Sequence, residues 1–305
     1  VISDRQQAGS DSRTRAAPGS LILWVALAPA LVVVLCLFGG GLILGGMQSF
    51  GYLPAAGMDR YTLSHFSNIL LDPDFIRSLL LTLYISVVST ALAAACSVGI
   101  AVLLANISKT RRIVDFIFQI PLTVPHLVVA IAVVFMLAPT GLFSRALQAI
   151  GLISDSAQFP LLINDSWAIG IILAYVWKEI PFITLMVLSV LKNAGTDLVD
   201  AGRTLNAGRW QRFRYIILPT IFPSLGAACL IVFAFTFGAF EVPYLLGQTY
   251  PMTLPVWAYR NYSDIDLLAR PEGIATGLII TMVIIGAIVL AQLITRAARR
   301  RGVIL

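Results

Sequence analysis

The chain has 305 residues, 58% of them hydrophobic and only 12% charged. Water-soluble domains carry about a quarter charged residues, so this composition excludes a soluble globular protein and places the chain in a lipid bilayer. Its net charge of +6 would suit nucleic acid, but the positions of the basic residues account for that charge without such a partner.

A helix needs about 20 apolar residues to cross the hydrocarbon core. Six runs meet that length: 21–47, 79–105, 114–138, 167–191, 221–248 and 273–295. Before them, VISDRQQAGSDSRTRAAPGS is polar and rich in Ser and Arg, and reads as a tail over 1–20 or a short surface helix. The first run is too long for a signal-peptide core and no small-residue cleavage pattern clearly follows it, so a retained span is expected. Cys36, Cys96 and Cys229 each sit inside an apolar run and read as small core hydrophobes rather than a disulfide framework. His65 and His126 have no cysteine or carboxylate cluster beside them, so the sequence offers no metal site.

The connecting segments sort by charge. Arg5, Arg13 and Arg15 lie in the N-terminal tail, and Lys109, Arg111 and Arg112 in the 106–113 loop. Lys192, Arg203, Arg209, Arg212 and Arg214 lie in the 192–220 loop, and Arg296, Arg299, Arg300 and Arg301 in the C-terminal tail. These segments hold fifteen of the 21 basic residues; the three alternate loops hold Arg60, Arg77, Arg145, Arg260 and Arg270. The bias predicts that both termini face the cytoplasm. The opposite loops carry Asp59, Asp72, Asp74, Asp155, Asp165, Asp264, Asp266 and Glu272, with the aromatic stretch TYPMTLPVWAYRNY at 249–262. They suit a docking surface for an external protein equally as well as solvated connectors.

Within the 192–220 loop, DAGRTLNAGRWQRFRYIILP (200–219) is basic and half apolar between two oily runs. Thr196 or Asp197 can cap a short helix in which Leu198, Ala201 and Leu205 share a face. Asn206 then tolerates the left-handed turn that ends it. A second short helix would align Trp210, Phe213 and Ile217, with Arg209 and Arg212 on another side, until Pro219 limits it. The product is an elbow beneath the membrane; an interfacial helix resting on anionic headgroups is the plainer alternative.

The spacing resembles the EAA loop of ABC importer permeases: Glu-Ala-Ala, three residues, Gly, nine residues, Ile, one residue, Leu-Pro. Here Asp200-Ala201-Gly202 stands first, Asn206 at the glycine, and Ile216, Leu218 and Pro219 at the end, with every interval kept. Asp replaces Glu, Gly replaces Ala and Asn replaces Gly, each keeping the physical role. The resemblance implies that this loop seats in a groove of an ATP-hydrolysing subunit. It makes Asp200, Ala201, Gly202, Asn206, Ala207, Ile216, Leu218 and Pro219 coupling residues, with Arg203 and Arg209 as partners for acidic groups.

A phosphate-binding loop needs Gly-Lys before Ser or Thr. The three lysines, Lys109, Lys178 and Lys192, follow Ser, Trp and Leu. Binding of ATP in that manner is excluded, so the resemblance places ATP and Mg on a partner ATPase and no cofactor on this chain. No Ser–His–carboxylate or paired-carboxylate arrangement stands out either, so the chain is expected not to be an enzyme.

Ionisable groups inside spans are costly and suggest function. Lys178 and Glu179 lie in YVWKEIPF of span four, and Glu241 in FGAFEVPYLLG of span five. Lys178 falls about 17 Å along its helix, near mid-bilayer, and neighbours i and i+1 point about 100° apart, so it cannot simply neutralise Glu179. Each faces a cavity, an interface or another span, or else fixes helix packing as an ion pair. Pro181 frees the Trp177 carbonyl; Pro121, Pro125 and Pro243 interrupt other spans, and broken helices are where transporters place substrates. Trp177, Pro181 and Phe182 resemble the Trp-x-x-x-Pro-Phe element of these permeases, and GAFEVPYLLG (238–247) is similar to the polyamine branch and to oxyanion and iron relatives. Glu241 with Tyr244 one turn on suits a cationic amine.

The expected protein is an all-α membrane protein of six spans: a tail over 1–20, a permease domain over 21–298 with its coupling loop at 192–220, and a tail over 299–305. The resemblance covers about 75–295 and implies half of an importer pathway in a bacterial inner membrane. Its partners would be a second permease, the same or a sister chain, two cytoplasmic ATP-binding subunits, and an external solute-binding protein. Spermidine or putrescine is the expected solute; an amino-phosphonate, an opine, iron or a sugar are alternatives. An ion-coupled transporter using Lys178, Glu179 and Glu241 is a further rival, as are an intramembrane enzyme and a purely structural subunit.

Overall fold

The structure is a computed structural model that describes residues 20–105, 111–194, 202 and 204–300. Among the described residues the fold is helical, with a single isolated bridge between Leu53 and Met58. Six helical stretches are long and apolar enough to cross a membrane: Trp24–Ser49, Pro73–Ala105, His126–Ala149, Ile169–Asn193, Arg209–Gly238 and Leu267–Ala297.

The chain divides into two units, the first ending at Met47. Helix α1 (Ser20–Val34) passes through a π-turn at Leu35–Gly39 into α2 (Gly40–Ser49). Trp24, Val25, Leu35, Leu37, Phe38 and Ile43 are all exposed. A helix that is apolar all round without covering a core is built for lipid contact.

The second unit, from Gln48, contains α3 (Ser64–Leu71), α4 (Pro73–Ala105), α5 (Arg111–Thr123), α6 (His126–Leu137), α7 (Leu142–Ala149) and α8 (Ile169–Asn193). It continues with α9 (Arg209–Arg212), α10 (Leu218–Gly238), α11 (Glu241–Leu246), α12 (Leu254–Tyr262) and α13 (Arg270–Arg300). Helix α8 is the axis, packed on α4, α10, α5 and α6. Between helices in lipid the hydrophobic effect gives little, so close van der Waals contact and hydrogen bonds must hold them. The α4 sequence supplies both. Ser78, Thr82, Ser86, Ser89, Ala93, Ser97 and Ala101 recur every three or four residues and are buried. The Ser97 hydroxyl donates to the Ile180 carbonyl of α8 at 2.9 Å. Thr82 does double duty: it donates to the Ser78 carbonyl at 2.6 Å and accepts from the Leu254 N–H at 2.9 Å, which fixes the start of α12.

Three of the sequence expectations need correction. The span expected at 114–138 is two helices, because Pro125 has no N–H and α5 stops at Thr123. The span expected at 221–248 ends at Gly238, where an extended Ala239 separates it from α11. Pro219 does not limit a helix. Residues 209–238 run on as one helical stretch, because a π-turn at Phe213–Ile217 widens the register where the proline ring would meet the preceding turn.

Candidate functional site

The elbow beneath the bundle is described from Gly202 and Thr204 onward; Asp200, Ala201 and Arg203, together with Thr196, Asp197 and Leu198, lie outside the described residues. Asn206 adopts φ 57°, the left-handed turn. The Ala207 N–H donates to the Gly202 carbonyl at 3.0 Å and closes it. Gly202 is buried: a Cβ there would lie 2.8 Å from Ile216 Cδ1 and 3.2 Å from Arg212 Cγ. The two arms of the elbow therefore touch where the side chain is missing. The second arm starts with the Gly208 N–H donating to Gln211 Oε1 at 2.8 Å. Leu205, Trp210 and Tyr215 are more than 70% exposed, Arg209 is exposed, and Ile216, Leu218 and Pro219 are half-buried. An apolar, basic-edged knob is thus left open.

The second region lies where spans three and five are broken, against the continuous α8 of span four. Lys178 is buried, and its Nζ donates to the carbonyls of Pro121 at 2.7 Å, Leu122 at 3.4 Å and Val124 at 2.5 Å. Glu179, also buried, places Oε1 3.6 Å from His126 Nε2, and the His126 ring packs 4.5 Å from that of Phe235. The Lys178 and Glu179 side chains thus take separate partners, as their directions on the helix require. Pro181 is buried beside them, whereas Trp177 is half exposed.

Glu241 opens α11 and is exposed. Tyr244, one turn on, joins Phe240 and Tyr259 in a ring cluster with centroids 4.8, 4.7 and 5.9 Å apart. Beside the cluster lies a cleft of about 510 Å³ lined by Tyr244, Gln248, Met252, Tyr259, Arg260 and Asp264. Tyr175 is fully buried within electrostatic reach of Glu179 and Glu241, and its hydroxyl has no hydrogen-bond partner among the described residues. Sequence reasoning missed Tyr175, Phe240 and Tyr259 as site residues. Tyr175 stands four residues before Glu179 on the same helix face, which was a usable signal; nothing local pairs Tyr259 with Tyr244.

Six helices long and apolar enough to cross a membrane, two spans broken beside buried or clustered ionisable groups, and a turn closed between Gly202 and Ala207 are the features of a membrane transport subunit. The sequence of the family described as binding-protein-dependent transport system inner membrane component matches residues 97–301, and the chain belongs to that family. It is accordingly a multi-pass inner-membrane permease component of an ABC importer. It is 25% identical over 291 residues to the probable ABC transporter permease protein y4oQ of Sinorhizobium fredii, covering 92% of this chain and 93% of that one. It is 27% identical to the inner membrane ABC transporter permease protein YnjC of Escherichia coli over 78% of this chain but 45% of that longer protein. The spermidine/putrescine transport system permease protein PotB of Salmonella typhimurium is 25% identical over 73% of this chain and 75% of its own. Among solved structures, a bacterial ABC transporter that imports the acidic polysaccharide alginate shares the fold, with a TM-score of 0.76 at 23% identity over 91% of this chain and 96% of that one.

Proposed function

We propose that the chain forms half of the pathway of an ATP-driven importer for a small cationic solute of the spermidine or putrescine kind. The observation that carries the reading is the exposed carboxylate of Glu241 at the head of α11, with Phe240, Tyr244 and Tyr259 gathered behind it. A carboxylate attracts an ammonium, and aromatic faces add about 0.5–1 kcal/mol at exposed sites such as this one. Trp177 flanks this route, while Lys178, Glu179 and Pro181 shape it. The similarity to PotB points the same way; the likeness to an alginate importer supports the fold, not the solute.

In this reading both termini are cytoplasmic, a second permease completes the pathway, and two ATP-binding subunits engage the elbow through Asp200, Ala201, Gly202, Arg203, Asn206, Ala207 and Arg209. A solute-loaded external protein docks on the opposite side. Binding of ATP and Mg by the partner subunits closes them and moves the elbows. A knob braced between Gly202 and Ile216 passes on a rigid-body movement that a floppy loop would absorb.

Glu241→Gln keeps the shape and removes the charge. Uptake of labelled spermidine by the chain with its partner subunits should fall at least about tenfold, the equivalent of roughly 1.4 kcal/mol. Uptake unchanged for spermidine and putrescine alike removes the cationic reading, and a neutral or acidic solute that is transported equally well by both forms replaces it.

A further inference from the structure

Lys178 and Glu179 are consecutive, buried and of opposite charge type, yet Lys178 bonds to span three on one side while Glu179 faces His126 on the other. Burying two ionised groups inside a membrane protein is costly, so each needs strong compensation. Its source is the interruption between α5 and α6. In an unbroken helix, the N–H of residue 125 would donate to the carbonyl of residue 121. Pro125 has no N–H, and Lys178 Nζ sits 2.7 Å from that same Pro121 carbonyl. The other two ammonium protons meet the Leu122 and Val124 carbonyls.

Across the break, His126 is the first residue of α6, and Glu179 Oε1 lies 3.6 Å from its Nε2. The signs match the helix ends. A cation meets the C-terminal carbonyls of α5, which carry partial negative charge, and a carboxylate stands near the N-terminal end of α6, which carries partial positive charge. Residues one apart on α8 point about 100° apart, which lets them reach opposite lips of one break.

We infer that the Lys178–Glu179 pair is a two-ended clip that sets the angle of the Pro125 break, so that α5 and α6 move together with α8. Helix α8 runs on to Asn193, where the coupling loop begins. Movement of the elbow therefore reaches the break through this pair, whichever solute is carried. Lys178 and Glu179 are positioning residues: they act through the backbone of span three.

The test uses the full chain in detergent, with its three cysteines replaced by alanine and spin labels at Phe116 and Phe135, which are exposed on either side of the break. In the parent, pulsed EPR should give one narrow distance, shorter than the roughly 28 Å that 19 residues of straight helix span. Lys178→Met should broaden it and lower the thermal midpoint by about 4 °C or more; Lys178→Arg, which keeps the donors, should stay narrow. Pro125→Ala returns the missing N–H, so in that background Lys178→Met should cost much less, and the distance should be narrow again but longer. If Lys178→Met does not fold alone, recovery in the Pro125→Ala background is the required result. Equal loss with proline or alanine at 125, or an unchanged distance in Lys178→Met, overturns the clip.

Discussion

Changing Gly202 to leucine and Asn206 to valine together is expected to reduce solute uptake at least about 100-fold while the chain still reaches the membrane. Both substitutions attack the elbow rather than the bundle. A Cβ at residue 202 would already stand 2.8 Å from Ile216 Cδ1 and 3.2 Å from Arg212 Cγ. An isobutyl group must push the second arm away from the first. Asn206 holds φ 57°, and a β-branched residue forced there costs on the order of 1–3 kcal/mol. The turn is thus expected to open, and a jointed knob no longer passes force. The buried hydrophobic clusters of the bundle do not include either position. Uptake by cells expressing the whole transporter is measured against the amount of chain in the membrane fraction. Normal uptake from the double variant would mean that the elbow is not the transmission. Gly202→Ala sharpens the test: the obstructing atom is the free end of an isoleucine that can rotate, so alanine, the residue of the family pattern, should retain most activity.

How far the sequence discloses this protein depends on the range of the interactions involved. The spans are legible because each is a property of about 20 consecutive residues, and the elbow because its turn is local: Asn206 adopts the expected left-handed geometry. Broken helices are half legible. Prolines mark where N–H groups are missing, but Pro125 breaks its span while Pro181 and Pro223 sit inside continuous helices and Pro219 follows a π-turn at Phe213–Ile217. Partners distant in the chain are not legible. That Lys178 makes no hydrogen bond to Glu179 follows from helix geometry; that it turns to the Pro121 carbonyl, 57 residues away, needs the fold. The same holds for Tyr244 and Tyr259, whose rings meet although they stand on different helices, the second held at its start by Thr82 of α4.

Gly170 gives the second large expected effect, and no motif marks it. Its substitution by alanine should destabilise the chain by roughly 3 kcal/mol or more, a large share of a stability that is typically about 5–15 kcal/mol. A Cβ at residue 170 would lie 2.4 Å from the Leu162 carbonyl oxygen and 3.2 Å from Ile163 Cγ2. The first is a backbone atom, so no side-chain rotation relieves the collision and the segment before α8 must move. That segment has little freedom. Asn164 and Ala168 both adopt left-handed φ values, of 56° and 52°. The Asp165 carboxylate accepts from the Ile169 N–H at 3.0 Å, holding the start of α8. The Asn164 N–H donates to the Leu246 carbonyl at 2.8 Å, tying the segment to the end of α11, the helix that Glu241 begins. Displacing Leu162 therefore loosens the mount of Glu241 without touching it. Gly170→Ala should lower the thermal midpoint of the purified chain and, at a temperature where it remains folded, weaken uptake mainly through a raised KM. A variant with the parent's midpoint and KM would show that the Leu162 carbonyl can retreat without cost, and that the tie through Asn164 does not position α11.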